Sequence, residues 1–287
     1  MTRVGFIGLG SQGGPMARRI AEAGFATTLW ARRPETLEPF ADSDATVAES
    51  LSELGAAVDV LGVCVVDDAG VDDVLRGSDG ALAAMAPGSV VIVHSTVHPD
   101  TCLRLQADFP ELHVLDAPVS GGGHKAAEGE LLVMVGGPDE VVERCRPILA
   151  TFGDPVLHLG PLGAGQDVKV LNNTLFAAHL AVAADGFALA RVKGLDLAAV
   201  ATVLSSGSGR SYAAEVVAGG GAYDLELMAQ LAGALLAKDV GILADRTGAD
   251  PAASTLVRAA DDALREMGVD RPSPGRTETE TETGAER

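Results

Sequence analysis

Val4-Gly-Phe-Ile-Gly-Leu-Gly-Ser-Gln-Gly-Gly-Pro-Met-Ala-Arg-Arg-Ile-Ala-Glu-Ala-Gly24 decides the fold. Val4 to Ile7 is a short apolar run that reads as a buried strand, and the residues from Gly14 onward read as a helix. Between them lies the turn Gly8, Leu9, Gly10, Ser11, Gln12, Gly13. Its glycines permit a tight turn, the close approach of backbone to a pyrophosphate, and the packing of helix on strand. The helix N-terminus adds unpaired N–H groups and the positive end of a dipole. A second strand beginning near Ala26 completes the context, so these six residues are expected to bind a dinucleotide.

The end of that second strand chooses the cofactor. An NAD site places an acid there, about 20 residues past the glycines, to take the ribose hydroxyls. This chain has Ala31-Arg32-Arg33 instead. With no acid to repel a phosphate and two guanidiniums to bind one, Arg32 and Arg33 predict NADP, with NAD as the alternative. A blander reading leaves both arginines in solvent at a strand end.

Working outward, apolar runs alternate with helix-periodic segments through the first half: Thr27 to Trp30, Val58 to Val66, Val90 to Val93, His113 to Leu115, Leu131 to Val135 and Val156 to Leu157. Such alternation predicts parallel strands joined by crossover helices, a doubly wound Rossmann sheet. Thr96 is placed to cap a helix starting near Pro99, and Pro138 to start another. The acidic run Asp67-Asp68 with Asp72-Asp73 reads as a solvated helix start. After Gly165 the texture changes to long alanine-rich helices: 168–192, 225–245 and 252–267. The expected domains are a dinucleotide-binding unit at 1–162, an all-helical substrate and oligomerisation unit at 163–269 entered through a long interdomain helix, and a low-complexity disordered tail at 270–287. A helix so apolar over such a length predicts packing against another copy, as a homodimer or homotetramer.

Composition closes off other classes. The chain has 287 residues, 47% of them hydrophobic, and a formal charge of −19. Neither nucleic acid nor an anionic membrane surface suits that charge. Cys64, Cys102 and Cys145 show no pairing or zinc spacing and fit a reducing cytoplasm, and the strand opening at Val4 leaves no room for a secretory leader. The apolar stretch Val170 to Ala184 carries Asn172, Asn173, Thr174 and His179, and reads as a buried helix in place of a membrane span.

Two further segments carry chemistry. Lys169 and Asn173 share a helix face at i, i+4 just past Gly160-Pro-Leu-Gly-Ala-Gly165. The chain has four lysines against 17 arginines, so a lysine here suggests a proton that must be lost and regained. Asp116-Ala-Pro-Val-Ser-Gly-Gly-Gly123 follows a strand, and Ser120, Gly121 and Gly122 expose hydroxyl and backbone donors suited to a carboxylate.

In this order the stretches resemble the β-hydroxyacid dehydrogenase family, which includes 3-hydroxyisobutyrate dehydrogenase and tartronate semialdehyde reductase and is related to 6-phosphogluconate dehydrogenase. The resemblance runs through Gly8 to Ala17, Ser95-Thr96, Asp116 to Gly122 with Gly129 and Gly136-Gly137, Gly163-Ala-Gly165 with Lys169 and Asn173, and Lys238-Asp239. It implies an NADP-dependent reductase or dehydrogenase acting on a small carboxylate-bearing β-hydroxy acid or semialdehyde. Lys169 is then the general acid/base, Asn173 its neighbour orienting the substrate oxygen, and Ser120 to Gly122 the carboxylate cradle. Thr96 and Lys238 become cofactor and active-site contacts, and Val65 and Val66 pass close to the nicotinamide. The chain departs from the family at Gln12, commonly methionine, at His94, commonly aspartate, and at Arg19, commonly asparagine, to which no role is given.

His124 is read as a solvent-facing loop residue, and His94 and His98 with Asp116 have no metal-ligand spacing. Two other functions remain open: an imine reductase of the same architecture, which generally lacks the lysine, and a non-catalytic NADP-binding protein.

Overall fold

The computed structural model describes residues 2–77, 79–248 and 251–272. Its first half runs β1 (Arg3–Ile7), α1 (Gly13–Glu22), β2 (Ala26–Trp30), β3 (Thr46–Val47), α2 (Leu51–Ala57), β4 (Val60–Val63), α3 (Asp68–Arg76), β5 (Val90–Val93) and α4 (Pro99–Asp108). It continues with β6 (His113–Asp116), β7 (Val119–Ser120), α5 (Gly122–Glu128), β8 (Leu131–Gly136), α6 (Asp139–Leu149) and β9 (Gly153–Gly160). Helices fill the rest: α7 (Ala164–Val192), α8 (Leu197–Ser206), α9 (Tyr212–Gly219), α10 (Glu226–Thr247) and α11 (Pro251–Glu266). Two compact units result, Met1–Lys169 and Val170–Arg287, so the division falls inside α7.

The sheet of the first unit has the order β3-β2-β1-β4-β5-β6, all parallel, as the alternating texture predicts. Successive residues point to opposite faces: Phe6, Val90 and Ile92 join one buried cluster, and Ile7, Val91 and Val93 the other. Covering both faces is what makes these strands apolar throughout. The sheet order turns outward from β1 in one direction and from β4 in the other, so the carboxyl ends of this pair form the switch point where an open α/β sheet takes its ligand.

Beyond β6 the parallel expectation fails in part. β8 runs antiparallel to both β6 and β7, and β9 returns parallel to β8. Connection length is the reason. Only residues 121–130 separate β7 from β8, less than a parallel crossover needs, whereas β8 and β9 are joined through the whole of α6.

Several helix starts also differ in detail from expectation. His98, not Thr96, caps α4, with Asp100 N–H donating to its Nδ1 at 3.2 Å. Asp67 caps α3 through Gly70 N–H at 2.8 Å, and Asp68 accepts from His98 N–H at 2.9 Å, so this acidic pair is structural as well as solvated. The glycine-rich stretch before Lys169 is already helical from Ala164.

In the second unit the core is dominated by small side chains, with Ala177, Ala178, Ala181, Ala184, Ala213, Ala214, Ala260 and Ala263 packed around Phe187 and Leu236. α7 and α10 are each long and apolar enough to cross a bilayer, yet Asp167, Lys169, Lys238 and Asp239 lie within them. Of the expected tail, Arg271 Nε lies 3.0 Å from Asp261 Oδ1 and Pro272 packs on Gly241, while 273–287 lie outside the described residues.

Candidate active site

The turn between β1 and α1 is built so that each glycine does something different. Gly8 sits at φ +93°, and a methyl group there would meet the Cys64 carbonyl oxygen at 2.1 Å. At Gly13 it would meet the Gly8 carbonyl oxygen at 2.0 Å, so α1 packs on β1 with no room for a side chain. A methyl group at Gly10 would meet nothing within 4 Å, so this side of its backbone is open to a ligand. Gln12 precedes α1 without capping it, so the first N–H groups of that helix have no side-chain partner from the cap position. Leu9 is half-buried against the core below, and Ser11 is exposed. These features fit a dinucleotide pyrophosphate, the group whose two phosphates need bare backbone and free N–H donors.

Arg32 and Arg33 follow β2 and are largely exposed. Arg32 Nη2 is 2.5 Å from Asp73 Oδ2 on α3, and Arg33 Nε is 4.0 Å from Glu35. Arg32 thus already has an anionic neighbour in Asp73. Val65 and Val66 follow β4; Val66 is 68% exposed, an unusual position for a valine at the carboxyl end of a buried strand. Val65 N–H donates to Ser95 Oγ at 2.8 Å, which ties the ends of β4 and β5 together.

Two buried side chains fasten the start of α7 to the ends of β5 and β6. Gln166, fully buried in the first turn of α7, donates from Nε2 to the Ser95 carbonyl at 2.7 Å and accepts the Val97 N–H at Oε1 at 3.2 Å, bracketing Thr96. Asp116, fully buried at the end of β6, accepts the N–H groups of Gly163 and Gln166 at 2.7 Å each. Burial pushes the Asp116 carboxyl up, and these backbone donors pull it back. The surrounding glycines are required: a methyl group at Gly136 would lie 2.3 Å from Asp116 Oδ1, and at Gly165 2.3 Å from the Met134 carbonyl oxygen.

His94 fills a core position. Its ring stacks on Phe6 at 5.9 Å, meets Phe152 edge-on at 5.5 Å, and lies 2.8 Å from the Ala117 carbonyl through Nδ1. Burial pushes its pKa down to about 4 against the opposing pull of that hydrogen bond, so near neutrality the ring is uncharged and Nδ1–H is the donor. Among the described residues no cluster of three or more His, Cys, Asp or Glu is arranged to hold a metal.

The cradle residues lie beside the dinucleotide turn. Ser120 ends β7, and Gly121 and Gly122 take φ +135° and +74°, conformations that suit glycine alone. The backbone of the next residue touches the turn: a methyl group on Gly123 would lie 2.3 Å from the Ser11 carbonyl oxygen. Lys125 closes this loop from below by pairing with Glu130 and Glu128. His124 is exposed and 3.1 Å from Glu128 as expected of a solvent-facing residue, but it lies in the helix α5 and not in a loop. Arg19 has a role after all. Its Nε donates to the Thr151 carbonyl at 3.0 Å while its guanidinium lies against Gly129 at the end of α5.

Lys169 is 8% exposed, one turn past the Asp116 and Gln166 anchor points. Asn173 follows at i+4 on the same helix. In the second unit Asn173 Nδ2 donates to Asp239 Oδ2 at 2.6 Å and its Oδ1 accepts from Asn172 Nδ2 at 3.1 Å, which fixes the amide orientation. Lys238 Nζ stands 3.0 Å from Asp239 Oδ1 as an ion pair, without hydrogen-bond alignment. Asp239 is thus the shared partner of two predicted site residues. Its position next to Lys238 was the only signal in the sequence.

Comparison with known proteins identifies the family of both parts of the chain. Residues 3–160 match the family described as the NAD binding domain of 6-phosphogluconate dehydrogenase, and 163–273 that described as the NAD-binding domain of NADP-dependent 3-hydroxyisobutyrate dehydrogenase. An L-threonate dehydrogenase of Cupriavidus necator is 39% identical, over 73% of this chain and 71% of its own. A 3-hydroxyisobutyrate dehydrogenase of Pseudomonas aeruginosa is 35% identical, over 74% and 72%. Among solved structures, a Mycobacterium tuberculosis 3-hydroxyisobutyrate dehydrogenase with L-serine superposes with TM-score 0.78 at 29% identity, covering 94% of this chain and 96% of that one. An imine reductase of Pseudomonas sp. shares the fold alone, with TM-score 0.63 at 19% identity over 93% and 90%.

Proposed function

The chain belongs to the β-hydroxyacid dehydrogenase family of NAD(P)-dependent oxidoreductases, and we propose that it interconverts a small carboxylate-bearing β-hydroxy acid and its semialdehyde, with NADP preferred and Lys169 as general acid/base. The observation that carries this reading is Lys169 itself: a buried lysine in a helix whose first turn is anchored at both Asp116 and Gln166. A bound nicotinamide would supply or accept the hydride. In reduction the substrate carbonyl oxygen becomes an alkoxide, and Lys169 Nζ donates the proton that neutralises it. In oxidation the neutral amine takes that proton back. Asn173, oriented by Asp239, donates its second amide hydrogen to the same oxygen. Ser120, Gly121 and Gly122 bind the carboxylate, and Lys238 adds positive charge. Thr96, Val65 and Val66 line the nicotinamide half.

Arg32 and Arg33 support NADP, since neither carries the acid that would take a ribose diol. The exposed apolar side chains of α7 and α10, among them Val182, Leu189 and Leu231, support a homo-oligomer formed through the helical unit. Three free cysteines are in keeping with a cytoplasmic setting. An imine reductase is the less favoured reading, because Lys169 and the Ser120 cradle serve an oxygen and a carboxylate that an imine substrate does not require.

The test is an assay of purified protein with NADPH and NADH against methylmalonate, tartronate, succinate and glyoxylate-type semialdehydes, and with the corresponding alcohols in reverse. Turnover with at least one, at higher kcat/KM for NADPH, is expected. Turnover of cyclic imines but of no carboxylated aldehyde would reverse the choice of substrate.

A further inference from the structure

A buried glutamine needs a reason. Gln166 is fully enclosed, where an apolar side chain would fill the space without any polar group to satisfy. Both ends of its amide are used. Oε1 takes the Val97 N–H and Nε2 gives to the Ser95 carbonyl, and since a backbone N–H only donates and a carbonyl only accepts, the amide has one orientation. This is the pattern by which a neighbouring strand would pair across Thr96. The same residue's backbone N–H goes to Asp116. Ser95 in turn receives Val65 through its hydroxyl, and Asp68 receives the next loop residue, His98, through its N–H. The segment after β5 is therefore fastened on three sides, and Gln166 is the fastening that leads to Lys169, three residues on along one helix face.

We infer that Gln166 is a positioning residue that sets Thr96 and Lys169 in register for the nicotinamide half of the cofactor. The placement follows from the sheet: the ends of β4 and β5 lie on the side of the switch point away from the Gly8 to Gly13 turn, so they face the second mononucleotide. The inference rests on the dinucleotide reading of that turn, and deepens it. Its test is calorimetric titration of the wild type and Gln166→Met with NADPH and with 2′-phospho-ADP-ribose, which lacks the nicotinamide. Loss of two buried hydrogen bonds predicts about a tenfold or greater weakening for NADPH and less than about a twofold change for the fragment. At saturating NADPH, kcat per bound cofactor falls while KM for the semialdehyde stays within about threefold. Should Gln166→Met not fold, Gln166→Glu keeps the oxygen facing Val97 and loses the donor to Ser95, and the same split between the two ligands is expected. Equal weakening of both ligands, or of neither, overturns the inference. A wild type that binds NADPH and turns over no hydroxy acid would instead sink the acid/base reading and leave this ligand split measurable.

Discussion

The two units handle their buried and exposed groups in opposite ways. In Met1–Lys169 most of the large apolar side chains go inside, with Val47 and Val66 among the exceptions, and the buried polar groups Asp116, Gln166, His94 and Ser95 all have partners. In Val170–Arg287 the interior is filled largely by alanines while Leu171, Leu175, Val182, Leu189, Val192, Leu231 and Leu235 point outward, Val192 at 85% exposure. Asp239 Oδ1, in that second unit, is the only buried side-chain nitrogen or oxygen without a hydrogen-bond partner among the described residues. The first unit is a finished scaffold for a cofactor. The second buries Leu180, Phe187, Val240 and Leu264 among its alanines and leaves a further set of large apolar groups exposed.

The sharpest way to break this contrast is at Lys169, the last residue of the first unit. Lys169→Met is expected to lower kcat by about a thousandfold or more, the scale of a lost general acid/base, while NADPH still binds. Retained turnover in a stopped-flow or steady-state assay would remove Lys169 from the chemistry. Next in size is the glycine turn. Gly13→Ala drives a methyl group into a backbone oxygen and should cost about 3 kcal/mol or more, read as a fall in Tm, whereas Gly10→Ala should leave Tm unchanged and weaken NADPH alone. Equal Tm for the two variants would mean that the turn has room it is not shown to have.

Acid offers a third test of the finished scaffold. His94 has a folded pKa of about 4, below the ordinary 6.5, so between those values the unfolded chain binds a proton that the folded chain refuses. Its contribution is present above that window and lost as pH falls through it, at most about 3 kcal/mol. Asp116, whose carboxyl is pushed up, works in the opposite sense, gaining stability as pH falls through its native value. His94→Asn should therefore flatten the fall in Tm between pH 6.5 and 4, and an unchanged slope would point to other groups. The smallest effect on folding is expected on the second unit. Val182→Asp or Leu231→Asp should change stability of the separated chain by less than about 0.5 kcal/mol, yet shift sedimentation to a smaller species. A monomeric wild type would end the oligomer proposal.

Much of this was legible in the sequence because it depends on local order. Gly8 to Gly13 between an apolar strand and a helix is a local pattern, and so is the change at Gly165 from short β-branched runs to alanine-rich helices. The reversal of β8 was less visible, since apolar runs look alike in either direction and only the length of 121–130 betrays it. The roles of Gln166 and Asp239 were missed for another reason. A polar residue in a helical stretch looks exposed until the fold shows what encloses it, and their partners lie 71 and 66 residues away in the chain.

By itself, then, the sequence determined the dinucleotide turn, the two textures and the candidate residues, all of which follow from side-chain periodicity and the special backbone freedom of glycine. Only the tertiary structure decided that His94 is an uncharged core ring, that Arg19 ties α1 to Thr151 after α6, and that Asp116 and Gln166 anchor the helix carrying Lys169. Burial and hydrogen-bond partners are properties of enclosure, and enclosure is fixed by residues far apart in the chain.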